Sequence, residues 1–511
     1  MSRITIVSLI FISSLLHADP RTLYNSLDPL SIPQHLAFYE NYPDTPEGHR
    51  SLKHAWKLLS GGDTARQQLP LSSISPETLN GVINLVNKPA NDTTPLLSET
   101  EITLIDSLAG HLPNRALQGY HVRTEEEVIA LPENEIDLAH GLFLTQMGTE
   151  KWETIRSYEA MIDLMALQLL TKVTLQSTPA EKIQAISALI FDEMGFRFPP
   201  HSIYAKDIDH YTFLPSVLDS RQGVCLGVSI LYLSLAQRLN LELEAVTPPG
   251  HIYVRWKEGQ EERNIETTAR GIHIDSEEYL GIETKELETH SLKEVIGMAH
   301  INQASVYLHE QQYDQALASY EKARPYLHDY YQLKELLGLT YIFTGKTDKG
   351  RQLLESINGE IPPHSISTDT LIEDYLIGAV DSEGIQTLFK RVNEDRTSIL
   401  EKKAALEKVL EKHPKFRDGW KALAITWLQL HRGKEALKYL ETYHRMYPSD
   451  PTVEYYLAIV YMQRLDYENA WRHLSYSEKL VHPHNHKPKA LKELRKHLSL
   501  LFPQQTIGEN T

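Results

Sequence analysis

The chain contains one cysteine, Cys225, in 511 residues. It stands in the run RQGVCLGVSILYLSLAQRLN, and downstream lie His251, in PPGHIYVRW, and Glu266, in NIETTARG. A thiol, an imidazole and a carboxylate are the groups that nucleophilic acyl transfer requires. The sulfur attacks a carbonyl carbon, the imidazole carries the proton, and the carboxylate orients the imidazole. Two readings of Cys225 are open at this level. It is such a nucleophile, or it is a small apolar residue of the core, the usual place of a free cysteine on an apolar helix.

The elements around these residues decide whether they can meet. From Leu226 to Leu239 the chain is apolar on nearly every face, with Gly227, Ser229, Ser234 and Ala236 as small interruptions. A helix apolar all round is buried. Gly223 suits a tight entry turn, and Asn240 reads as the C-terminal stop. Cys225 then falls in the first turn, beside unpaired N–H groups and the positive end of the helix dipole. The N–H groups near Val224 and Leu226 are candidate oxyanion donors. Tyr211, in a loop with Tyr204, Asp209 and His210, is a further candidate for an oxyanion hole or for packing. Alternation predicts strands at 241–245, 251–256 and 263–267, with a turn over 257–260. A hairpin symmetric about Glu258-Gly259 places His251 opposite Glu266, with Cβ atoms about 5 Å apart. His273 and Asp275, a little further on, offer the same two chemical groups.

GVC at a helix start, a histidine opening a strand and a carboxylate on the next resemble the transglutaminase-like cysteine hydrolase superfamily. The fuller pattern FLPSVLDSRQGVCLGVSILYLSLAQRL, PPGHIYVRW and NIETTARG is similar to its bacterial SirB-type branch, in which tetratricopeptide (TPR) repeats follow the core. The resemblance spans roughly residues 132–271. It implies a papain-like α+β core with Cys225 as nucleophile, His251 as general base and Glu266 as orienting acid. It further implies a peptide or protein amide as substrate. Where the family usually has Asp, this chain has Glu266.

Charge and composition narrow the other classes. Net charge is −17 with 23 % charged residues, a globular composition that argues against nucleic acid or an anionic membrane as main partner. The chain lacks a P-loop and a Gly-rich dinucleotide fingerprint, so no cofactor is expected. His482-Pro483-His484-Asn485-His486 has imidazoles but no further ligands at a fitting spacing, and reads as a surface turn rather than a metal site. The basic residues near the end, Lys487, Lys489, Lys492, Arg495 and Lys496, read as a solvated helix face. Residues 1–18, with Arg3, an apolar run from Ile4 and Ala18 before Asp19-Pro20, predict a signal peptide and export to the periplasm or medium. No later stretch has the length of a membrane span.

Three parts follow the signal. Residues 19–131 read as a helical accessory region or brace, with helices over 51–60, from Ser75 to Asn87 and from the Ser98/Glu101 capping box to Gly110. Residues 132–297 form the α+β core, entered by amphipathic helices and by the Thr178-Pro179-Ala180-Glu181 box, whose helix is expected to run to Gly195. From 298 to 511 the chain repeats with a period of 34: Ala304 with Gly338, Tyr307 with Tyr341, Leu423 with Leu457, Ala436 with Ala470. Small residues at fixed points with large ones between them are the TPR signature. An irregular insertion over about 358–400 interrupts the period. The expected use of the repeats is to hold a protein or peptide, with bracing of the core as the other role. Two functions follow: an acyl-transfer enzyme with a binding module, or an inactive core serving as a TPR adaptor.

Overall fold

The computed structural model describes residues 19–61, 70–200, 209–393 and 395–503. The apolar segment 1–18, Gly62, Tyr204 and Glu394 lie outside the described residues. The fold is α+β: a core of buried helices with a small antiparallel sheet, followed by a solenoid of paired helices.

The cysteine helix spans Cys225–Arg238. Twelve of its residues, from Leu226 to Ala236 together with Arg238, are buried, as an all-round apolar helix must be. The helix Trp152–Leu169 packs against it and is buried on nearly all its faces too. Two such helices cannot be insulated by hydrocarbon alone, because Arg238 and Asp163 meet between them with no exposure. The Arg238 Nε donates to Asp163 at 2.6 Å. Around this pair a polar network runs through Arg115, Tyr120, Arg156, Glu159 and His140.

Four strands follow the helix: β1 (Glu244–Thr247), β2 (Tyr253–Glu258), β3 (Glu261–Ile265) and β4 (Glu288–His290). Their order is β3-β2-β1-β4, with every pair antiparallel. β1 starts later than the alternation from Leu241 suggests, because the Leu241 N–H is spent on the Ala236 carbonyl at the end of the helix. Asn240 does take the left-handed conformation of a helix stop, φ 49°. The β2–β3 turn is Gly259-Gln260, with Glu258 opposite Glu261 and Gly259 at φ 60°. The register is therefore two residues from a turn centred on Glu258-Gly259. The slip is even, so every side chain keeps its face. It makes His251 the diagonal neighbour of Glu266 rather than its direct opposite.

The expected accessory region is not a separate unit in packing terms. Ile32, Trp56, Leu59, Val82 and Ile105 share one apolar core with the cysteine helix and with the first repeats as far as Tyr341. The first accessory helix anticipated from Ser51 begins earlier, at Pro46, because Thr45 caps it and proline suits the first position. The region also braces the approach to Cys225. Asp219 accepts from the Thr94 N–H at 2.9 Å, the Thr94 hydroxyl at 2.6 Å and the Tyr158 hydroxyl at 2.7 Å. The helix from Thr178 has its capping box, but at Ala188 it widens into a π-helical turn ending at Glu193.

The solenoid pairs Leu292–His309 with Tyr313–Ala323, Tyr331–Phe343 with Thr347–Ile357, Arg417–Gln429 with Gly433–Met446, and Pro451–Gln463 with Tyr467–Val481. The small residues allow close approach. A Cβ on Gly350 would come within 2.6 Å of the Gly338 carbonyl oxygen. The aperiodic segment is itself helical, with short helices Thr370–Leu376 and Ser382–Leu388 and a longer one, Arg396–Lys412.

The solenoid curves back to touch the core. Backbone bonds join Lys285 to His364 at 2.9 Å and Ile366 to Glu283 at 3.0 Å. Further along, His486 Nε2 meets the Gly281 carbonyl at 2.8 Å, and Lys492 pairs with Glu277 at 2.6 Å. One sequence expectation changes here. His486 is buried, so the histidine-rich segment is not simply a surface turn. Lys489 and Lys492 stay exposed, as a solvated helix face does, and there pair with carboxylates of the core.

Candidate active site

Cys225 is the first residue of its helix, with Val224 at the cap position. The entry turn is shaped differently from the glycine turn read from sequence. The left-handed residue is Arg221, φ 55°, while Gly223 lies where a Cβ would meet Val228 Cγ2 at 2.4 Å. Gly227 is the second close approach, since a Cβ there would come within 2.6 Å of the Tyr211 carbonyl oxygen. That carbonyl accepts the Val224 N–H at 3.1 Å. Tyr211 thus serves the site through its backbone, and the Val224 N–H is not free for an oxyanion. The N–H groups of Cys225 and Leu226 have no backbone acceptor among the described residues, as expected for a first turn.

His251 and Glu266 meet. The His251 Nε2–H donates to Glu266 Oε2 at 2.7 Å. Three more hydrogen bonds reach the same carboxylate: from the Thr268 N–H at 3.0 Å, the Thr268 hydroxyl at 2.6 Å, and the Tyr279 hydroxyl. Burial alone would push this carboxyl up. The hydrogen bonds from His251, Thr268 and Tyr279 outweigh it and hold the pKa down to about 2. For His251, burial pulls downward, but hydrogen bonds with Cys225 and Glu266 and their negative charge raise it to about 10. With Nε2 spent on Glu266, Nδ1 is the nitrogen left for the sulfur. Tyr279 also stacks on His251, ring centroids 5.8 Å apart and planes at 23°. Thr267 ties the strand end to the helix, with its hydroxyl 3.0 Å from that of Ser229.

Cys225, Leu226 and His251 open into one cleft of about 540 Å³, with the Pro248–Ile252 loop on one side and the inner wall of the solenoid on the other. His273 and Asp275 bond to each other at 3.1 Å but do not line this cleft. Tyr279 was not legible as a site residue, because it depends on the fold of the loop after Glu266. Its signal is modest: a tyrosine following several acidic residues.

A second group of metal-ligand type, absent from the sequence reading, joins His444, Glu454 and His473. His473 Nδ1 lies 2.7 Å from Glu454, and His444 Nδ1 bonds the other carboxylate oxygen. Arg472 donates to His473 Nε2 at 3.3 Å. An arginine can only donate, so Nε2 accepts and Nδ1 carries the proton. The group is a hydrogen-bonded clamp between adjacent helices.

Residues 156–299 match the family model of the transglutaminase-like superfamily, a span that includes Cys225, His251 and Glu266. Among curated proteins, F-box only protein 21 of Mus musculus is 29% identical over 97 residues, 18% of this chain and 14% of that protein. The Homo sapiens protein of the same name is 28% identical over 97 residues, with the same shares. The chain thus spans about one seventh of the length of the curated relatives it matches. Among solved structures, MamA is 20% identical, covering 37% of this chain and 97% of its own at a TM-score of 0.20. YrrB, described as a TPR protein with an unusual peptide-binding site, is 14% identical over 39% of this chain and 92% of its own, TM-score 0.20. The TPR domain of P58(IPK) is 10% identical over 96% and 98%, TM-score 0.22.

Proposed function

We propose that the chain is a cysteine-dependent amidase or acyltransferase of transglutaminase-like type, exported, of the SirB-type branch, and acting on peptide or protein amides held by its TPR module. The observation that carries the reading is the His251–Glu266 pair at 2.7 Å in a cleft shared with the single cysteine. Sulfur attacks the amide carbonyl, and the C–N bond breaks as the His251 imidazolium returns its proton to the leaving amine. Glu266 holds the ring through Nε2 so that Nδ1 faces the sulfur. The Cys225 and Leu226 N–H groups are the oxyanion donors, at the positive end of a buried helix. Water or a second amine then attacks the thioester, and the thiol is regenerated.

The test is alkylation of the folded full chain with iodoacetamide at mildly acidic pH. Cys225 should label rapidly, and His251→Ala should slow labelling by at least about tenfold, since removing a base or its partner ordinarily costs that much or more. A thiol that labels only after unfolding overturns the enzyme reading and leaves the adaptor.

A further inference from the structure

The face of the helix Leu292–His309 that lines the Cys225 cleft does not end with it. Met298, Ile301, Asn302 and Ser305 border that cleft, while Asn302, Ser305, Val306 and His309 border a second cavity of about 420 Å³. Spacings of three and four put all six on one stripe of the helix, so the two cavities adjoin along a single track. From Met298 to His309 the helix rises about 16 Å, the length of about five residues of extended chain. The track is fixed to the nucleophile's own entry turn. Asn302 donates to the Thr212 hydroxyl at 2.9 Å, and the neighbouring Tyr211 carbonyl takes the Val224 N–H.

The two ends of the track differ in charge. Carboxylates line the end beside Cys225, where Lys421 pairs with Asp450 and the Leu371 N–H serves Asp369. The far cavity is lined by Lys390, Arg391 and Lys402 and, among the described residues, by no aspartate or glutamate. In a chain of net charge −17 that is the reverse of the composition. Lys390 reaches Glu401 at 3.6 Å, an exposed pair of the kind that holds little energy. Lys402 forms no ion pair among the described residues. Its ammonium, partly buried, donates to the Leu388 carbonyl at 2.7 Å, and burial pulls its pKa down. An ammonium has three donors, and that bond uses one. A cavity that gathers cations without acids, on the same helix stripe as the nucleophile's cleft, suits the anionic part of whatever the cleft holds.

Resting on the proposed chemistry at Cys225, we infer that the substrate is an acidic peptide segment. An aspartate or glutamate side chain seats by Lys402 and Lys390, and an amide about five residues along the peptide reaches Cys225. The solenoid then selects by charge complementarity and sets the register of the peptide.

The experiment uses the full chain with Cys225→Ala and three C-terminally amidated peptides of about eight residues, a length that exceeds the track. They alternate glycine with glutamate, serine or lysine, carry the same uncharged dye, and are read by fluorescence anisotropy. The glutamate peptide should bind at least about tenfold more tightly than the serine peptide, against the net charge of the molecule. Lys390→Met/Lys402→Met should remove that preference, whereas Lys408→Met/Lys415→Met, exposed and outside both cavities, should keep it. An equal loss in the two would mean a diffuse effect of charge and would overturn the inference. Tightest binding of the lysine peptide, or equal binding of all three, would overturn it too. Lys402 also caps the carbonyl end of the helix Ser382–Leu388, so Lys390→Met is the check on folding. By itself it should weaken glutamate binding at an unchanged melting temperature, and no weakening there sinks the inference. With the thiol restored, the glutamate peptide should slow alkylation of Cys225 by iodoacetamide, while one of about three residues, too short for the track, should not. A long peptide that binds yet leaves alkylation unchanged overturns the shared track. An inert Cys225 would end the proposed chemistry and leave the binding result, read without the thiol, standing.

Discussion

Glu266 receives four hydrogen bonds in a buried position, and each favours its ionised form. The longer side chain suits the diagonal placement of His251, which lies two residues from the position directly opposite. Tyr279 holds both partners, donating to the carboxylate and stacking on the imidazole. Tyr279→Phe keeps the stacking and removes one bond to a charged group, worth about 1.5–3 kcal/mol. The Glu266 pKa should therefore rise from about 2, visible in the side-chain carboxyl carbon resonance as pH is varied. A carboxyl that titrates unchanged would show Tyr279 to be packing alone. The pair also sets a stability window. The His251 pKa is raised, so its contribution is full below 6.5 and is lost as pH rises through about 10. The Glu266 pKa is depressed, so its contribution is full above 4.5 and is lost as pH falls through about 2. In urea melts, the gap between the native chain and Glu266→Gln should be widest from pH 4.5 to 6.5 and should narrow toward pH 10, where the bonds from Thr268 and Tyr279 remain. At this scale the cysteine, histidine and glutamate were legible because each sits in a short local pattern. Tyr279 was not, since only the folded loop brings it back.

The elements repeat that division. The cysteine helix could be read from its all-round apolar face and from Asn240 at its end, both local signals. β4 could not, because it pairs with β1 across the whole hairpin and presents only Glu288, Thr289 and His290 as a pattern. The hairpin register was misread by two residues because Glu258 and Glu261 are strand residues despite their turn-like neighbours. The cross-link between the two buried helices was likewise invisible in sequence, where Asp163 is one acid among many. Folded, it faces Arg238 with neither group exposed, and Arg115 reaches its second oxygen. A buried pair is poor evidence of net stabilisation, but breaking it strands a charge. Asp163→Ala should therefore cost about 3–5 kcal/mol in chemical denaturation. Converting Arg238 to methionine in the same chain should recover much of that loss. If Asp163→Ala alone is nearly neutral, water reaches the pair and the two helices are less tightly joined than their burial implies.

At the scale of the molecule, the controlling feature is that the solenoid returns to the core beyond the cleft. Its period was readable in sequence, but the closure was not, because it joins residues 277–285 to residues more than 200 positions away in the case of His486, Lys489 and Lys492. The contacts differ in kind. His486 is buried against the Gly281 carbonyl, whereas Lys489–Glu278 and Lys492–Glu277 are exposed pairs that salt screens readily. The exposed pairs therefore contribute little to folding, and their effect should appear in how far the solenoid opens. Replacing both lysines with alanine should leave the melting temperature nearly unchanged, while X-ray scattering at low salt shows a larger radius of gyration. High salt should bring the native chain toward the variant, since both treatments remove the same attraction. Opening the ring widens the way to Cys225, so alkylation of the thiol should quicken in the variant and in the salted native chain alike. If scattering and alkylation are both unmoved, the buried His486 contact and the Glu283–Ile366 bridge hold the ring shut by themselves, and the substrate enters from the open side of the cleft.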